Sequence, residues 1–303
     1  MIVRLVKDMI NFAVFASGLG WLLRNTVARR KVSIFVYHDP IPNVLHRHLH
    51  HLCRAYNIIR PSQFFEAVKQ GNFSSLPPRR LVLTFDDGHV GNSALGQVMR
   101  AHGVTGLIYL RSDIVSTQCG FWWQSAAAKA IGAEFLGSIP EADRLALFAE
   151  HGFERDQAQD QATALSRAEL EALSDVFEFG SHTRFHPILT RCNDAACDHE
   201  IAQSKKVLEG LLGHPVRHFA VPNGNYGDRE IAMIKSADYA TARTSDAGWN
   251  NATDSAYHLK ILPAADDTTV WWLRAQMTGL TTLLKNIIRF RRFSLAFQEG
   301  HRA

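Results

Sequence analysis

Short apolar runs recur along this chain with amphipathic stretches between them, and their alternation sets the expected elements. Segments 32–37, 81–85 and 105–110 are branched and aromatic runs too short for helices, which predicts buried strands. Segments 177–180 and 216–221 read the same way. Helical spacing appears over 49–56, 61–69, 93–102, 198–212 and 230–237, and the fourth of these stops at Gly213, a residue suited to a left-handed helix end. The stretch 124–175 reads mainly as helix, and 124–168 within it as an insertion. Strands alternating with helices imply an α/β fold, its sheet parallel, open or closed, with helices packed outside.

The ends of the chain differ from its middle. Residues 9–23 are apolar but shorter than the roughly 20 residues of a standard span. Arg24, Arg29, Arg30 and Lys31 follow without a small-residue cleavage site, so a cleaved signal peptide is not expected. The heavier positive charge on that flank puts the catalytic part on the cytoplasmic face of the inner membrane, a soluble cytoplasmic or membrane-anchored periplasmic protein being the alternatives. Segments 270–273 and 280–293 mix aromatic and aliphatic residues with Arg274, Lys285, Arg289, Arg291 and Arg292, the composition of an interfacial helix on anionic lipid. The expected layout is thus a membrane-associating segment 1–30, a catalytic domain 31–265 and an amphipathic basic helix 266–303.

With 303 residues and 46% hydrophobic content, the central domain has material for a sizeable core. The net charge of +4 is concentrated at the termini, and no nucleic-acid motif is present, so the charge points to a membrane surface. Cys53, Cys119, Cys192 and Cys197 lack redox or zinc-ribbon spacing and are expected to be reduced thiols. His46, His48, His50 and His51 read as a polar helix face, since their spacing does not converge three imidazoles with a carboxylate.

Two short segments carry the chemistry. Thr84-Phe85-Asp86-Asp87-Gly88 ends a predicted strand, and His182-Thr183-Arg184-Phe185-His186 follows another. Two imidazoles four residues apart converge on a cation if a helical turn forms, with Thr183 or Ser181 to fix a ring tautomer. One carboxylate completes three protein ligands and the other remains to accept a proton, which is the equipment of a metal-dependent hydrolase.

These segments resemble the first two motifs of the polysaccharide deacetylases, the NodB-homology family, and the resemblance covers about 31–263. It implies a distorted (β/α) barrel of about seven parallel strands. It also implies Asp86 as catalytic base and Asp87, His182 and His186 as metal ligands. The metal would be Zn2+, with Co2+, Ni2+ or Fe2+ fitting the same donors. The implied reaction removes N-acetyl groups from amino sugars of a polysaccharide or lipid-linked glycan. O-acetyl ester or formamide hydrolysis and non-catalytic glycan binding are the alternatives.

A third family motif, of Arg-x-Pro-Tyr type, is similar to Ala220-Val221-Pro222-Asn223, with Ala220 where many members have Arg and Asn223 where many have Tyr. A backbone N–H at Asn223 needs no particular side chain to hold an oxyanion. The late Leu-x-His of many members is missing after Trp249, which leaves His38 and His258 as candidates for the acid. Trp122, Trp123 and Pro222 are candidate sugar contacts, aromatic faces being suited to a pyranose ring.

Overall fold

The computed structural model describes residues 9–278 apart from 10, 15, 264 and 265. Eight strands run in chain order: β1 (Val32–Tyr37), β2 (Asn57–Ile58), β3 (Arg80–Phe85), β4 (Gly106–Leu110), β5 (Phe177–Ser181), β6 (His218–Ala220), β7 (Thr241–Ala247) and β8 (Leu259–Pro263). Every pairing between them is parallel, and β1 joins both β3 and β8. Seven strands therefore close a barrel, in the order β1-β8-β7-β6-β5-β4-β3 and back to β1. The two-residue β2 covers only the start of β3, at Arg80 and Leu81, before β4 takes over that edge at Thr84.

Neighbouring residues of a strand face opposite sides, and here both sides are buried, so β1, β3 and β4 are apolar almost throughout. Phe35, Tyr37, Leu83, Phe85, Ile108 and Leu110 pack outward with Leu45, Leu49 and Met99 of the helices Pro42–Ala55 and Leu95–His102. Val32, Ile34, Val36, Val82, Leu107 and Tyr109 belong to a second cluster with Phe64 and Phe65. Those rings come from the helix Pro61–Lys69, which lies across the strand starts, Phe65 stacking on His218 at 3.6 Å and Ser62 N–H donating to Glu178.

Several boundaries differ from the sequence reading. The helix expected over 49–56 begins at Pro42, and the histidines read as a polar helix face are partly core: His48 is buried, bonded to Tyr37 Oη at 3.0 Å and to the Thr268 carbonyl at 2.8 Å. The helix Asp194–Leu212 starts four residues before the expected 198, capped by the Asn193 side chain accepting from Ala196 N–H. Strands β7 and β8 had no counterpart in the sequence reading; β7, Thr-Ala-Arg-Thr-Ser-Asp-Ala, has no aliphatic run to reveal it. The insertion holds three short helices, Ala126–Ile131, Ala133–Ser138 and Glu141–Glu150. The helix Val270–Gln276 is the described part of the expected C-terminal helix, and residues 279–303 of that expectation lie outside the described residues.

Candidate metal centre

Asp86 and Asp87 leave the end of β3 where the backbone turns sharply. Asp87 has φ 75° and Gly88 φ 66°, both left-handed. At Gly88 only glycine fits, since a Cβ would stand 2.7 Å from Leu110 Cδ2. This turn aims the two neighbouring carboxylates into different surroundings. His182 follows β5 directly, beside the weakest seam of the barrel, where one register pair, Ser181 with Phe219, joins β5 to β6.

The histidine segment forms a loop rather than the expected helical turn, with left-handed backbone at Thr183 (φ 66°) and His186 (φ 59°). Non-glycine residues held in this region carry strain, so the loop needs anchors. Thr183 Oγ1 accepts from the His186 N–H at 3.0 Å, and Trp122 Nε1 donates to the His186 carbonyl at 3.1 Å. The buried Glu200, on the helix Asp194–Leu212, accepts from the N–H groups of Arg184 (2.9 Å) and Phe185 (3.1 Å).

Asp87 Oδ1 lies 3.9 Å from His182 Nε2 and 3.8 Å from His186 Nε2, and one donor atom from each of the three residues falls within 4.8 Å of the others. The donor set fits a divalent cation on three observations. Asp87 Oδ1 is buried without a hydrogen-bond partner. His182 Nδ1 donates to the Ala220 carbonyl at 2.8 Å, which leaves the Nε2 lone pair facing Asp87. Burial holds both imidazoles below their usual pKa, His186 well below, with the neighbouring His182 adding to its shift, so both are neutral, as a metal ligand must be. The tautomer of His182 is thus fixed by Ala220, and neither Ser181 nor Thr183 has that role; Ser181 bonds Ser204 instead.

Burial alone would raise the Asp87 carboxyl, but Arg111, His89, His186 and His182 together hold it well below the usual range. Arg111 is fully buried, donates to the Asp87 carbonyl, and lies over the Phe121 ring at 3.4 Å. Burial pushes its own pKa down to about 10, with Asp87 opposing the shift. Asp86 is paired differently: its Oδ2 accepts from Arg243 Nη2 at 2.6 Å, while its Oδ1 is buried without a partner. Arg243 stands beside Ala220 in the β6–β7 register. The cation that the sequence reading missed at position 220 is therefore supplied one strand over.

A cavity of about 700 Å3 opens over this centre. Asp86, Asp87, His182 and His186 line it together with His38, Trp122, Trp123 and Asn223. Asn223 has left-handed backbone (φ 54°, ψ −3°). Trp122 is 9% exposed and committed to His186, whereas Trp123 is half-buried. His38 is exposed at the rim, its N–H and that of Asp39 donating to the two oxygens of Asp266. His258 lies outside the lining, bonded to Ser255. Pro222 is buried and does not line the cavity, whereas Val221, Asn223 and Asn225 around it do. Glu134 and Gly137 of the insertion, Arg191 and Ser245 also line it, and sequence pattern gave no sign of them.

The family model of the polysaccharide deacetylases matches residues 74–242, more than half of the chain. A search of curated protein sequences finds no match. Among solved structures, the Streptococcus pyogenes deacetylase PplD, determined with acetate, is 16% identical, with a TM-score of 0.60 over 82% of this chain and 99% of that one. IcaB from Ammonifex degensii is 14% identical, with a TM-score of 0.59 over 82% and 97%. A de-N-acetylase from Aggregatibacter actinomycetemcomitans is 15% identical, with a TM-score of 0.59 over 81% and 99%. At such identities the likeness is one of fold.

Proposed function

This chain belongs to the polysaccharide deacetylase family, and from that premise we propose that it hydrolyses N-acetyl groups on the amino sugars of a polysaccharide or lipid-linked glycan with a bound divalent cation. The observation that carries the reading is the separation of two adjacent carboxylates in the cavity lining, Asp87 set among His182 and His186, and Asp86 set against Arg243 with its other oxygen buried and unpartnered. Such a division suits one ligand and one base.

Asp87, His182 and His186 would hold the cation, Zn2+ by the donor set, which when bound lowers the pKa of a water and polarises the amide carbonyl. Arg243 fixes Asp86 Oδ2, so that Oδ1 is left to take the proton from the attacking water. The N–H of Asn223 serves the developing oxyanion. His38, at the rim, donates a proton to the departing amine as the C–N bond breaks, giving a free amino sugar and acetate. Trp123, half-buried in the cavity lining, serves as the aromatic contact for a sugar ring.

The place we propose for this reaction is the cytoplasmic face of the inner membrane, from the basic residues that follow the apolar stretch 9–23. The test is acetate release from matched N-acetyl and O-acetyl hexosamine oligomers and from a polyprenyl-linked N-acetylhexosamine, with and without chelator. Chelator-sensitive release from the N-acetyl compounds is expected. Release from the O-acetyl compound alone would replace the amidase reading with an esterase.

A further inference from the structure

The described residues expose ten large hydrophobic side chains, and six of them, Met9, Phe12, Trp21, Leu22, Val27 and Trp271, belong to the segment before β1 and to the helix Val270–Gln276. These two pieces pack on each other. The Phe12 and Trp271 rings meet edge to face at 5.9 Å, and at Gly20 the helix Leu19–Asn25 comes so close that a Cβ would stand 3.0 Å from Thr278 Cγ2. The six side chains are thus carried by two touching pieces, which together make an apolar strip. Grouped apolar exposure of this kind marks a contact surface.

The strip continues into a basic cavity. Arg29 and Arg30 follow Val27 and, with Arg80, Ser74 and Phe73, line a volume of about 650 Å3 at the starts of β1 and β3. Arg80 is buried and donates to the carbonyls of Pro77, Arg30, Phe73 and Leu76. Among the described residues no carboxylate lines this cavity, in which Arg29, Arg30 and Arg80 sit together. A second copy of the chain packed strip to strip would cover the apolar residues but would bring its own Arg29 and Arg30 to the same contact. A bilayer surface with anionic phospholipid answers both, since tryptophans settle at headgroup depth and arginines take phosphates. Among the described residues no helix is long and apolar enough to cross a membrane, in keeping with a strip that lies in the surface.

We propose that this strip and the arginine cavity form a docking surface for an anionic bilayer, the phosphates of its headgroups entering between Arg29, Arg30 and Arg80. The upper end of the strip adjoins the catalytic rim. Asp266, which holds the backbone of His38 and Asp39, lies a few residues before the helix that carries Trp271. The arginine cavity lies at the strand starts and the catalytic cavity at the strand ends, so docking bears on the proposed reading of a glycan hydrolase only by holding the chain at a surface that supplies a lipid-linked substrate. The binding itself is independent of catalysis.

The experiment is flotation of the full chain with phosphatidylcholine vesicles, with or without phosphatidylglycerol, comparing wild type with W21A/W271A and R29Q/R30Q. Circular dichroism and melting temperature report folding. Wild type is expected to float with the mixed vesicles. Each arginine removed should weaken partition into them by about fivefold and leave neutral vesicles unaffected. The tryptophan pair should weaken binding to both. Wild type that stays unfloated with both vesicles would overturn the proposal, as would flotation indifferent to all four substitutions. So would a lipid-free dimer that the tryptophan substitutions dissociate.

Discussion

Asp86 and Asp87 are chain neighbours with separate surroundings because the backbone turns left-handed at Asp87. Arg243 secures one and Arg111 the other, and the two cations come from different strands of the barrel or their ends. Replacing Arg243 by Gln should lower kcat about 10- to 100-fold with metal content unchanged, because it loosens the base and leaves the ligands alone. Steady-state kinetics beside metal analysis checks this. Glu200→Gln should instead weaken metal affinity about tenfold, since Glu200 anchors the strained loop between His182 and His186. A competition titration against a chromophoric chelator measures it. That Asp86, Asp87, His182 and His186 come together was legible in the sequence because they lie in two compact local segments. Arg243 was not, because it meets Asp86 across 157 positions and sits in a polar strand without an aliphatic run. Glu200, Arg111 and His89 escaped for the same reason, their roles existing only once the loops are brought together.

Elements explain which aromatic contacts are open to substrate. The insertion places Trp122 in a small cluster with Leu136, Phe148 and Phe153, and spends its indole N–H on the His186 carbonyl. Trp123, beside it, stacks on Phe121 and keeps part of its surface at the cavity. Trp123→Ala is therefore expected to raise KM with little change in kcat, whereas Trp122→Ala should cost about 3–5 kcal/mol of stability and disturb metal binding as well. Kinetics on an N-acetylhexosamine oligomer and denaturant unfolding separate the two. At this scale the sequence showed the presence of strands and helices better than their ends. The helix Pro42–Ala55 begins before the expected 49, and His48, read as part of a polar helix face, lies in the core with its ring nitrogens satisfied by Tyr37 and Thr268.

For the whole molecule, closure of the barrel is what brings β3, β5, β6 and β7 around one centre. Alternation of elements left open and closed sheets equally possible, and the closing pairs of β1 with β3 and β8 decide between them. The helix Pro61–Lys69 crosses the opposite end, where His218 stacks on Phe65. Burial pushes His218 down to about 3 from the usual 6.5, with Arg217 adding to it. The folded chain thus holds His218 neutral while the unfolded chain takes up a proton below about 6.5, so this contribution to stability is present above that pH and is lost as pH falls toward 3. Denaturant unfolding across that window should show a falling stability that His218→Phe flattens. The most direct test of the catalytic account measures bound metal and acetate release in the same preparations of wild type and Asp86→Asn. Wild type should bind a divalent cation and release acetate, and chelator should abolish the release. The variant should keep the cation while its release falls about a hundredfold to ten-thousandfold. Acetate release by Asp86→Asn at the wild-type rate, or wild-type release indifferent to chelator, would contradict the account.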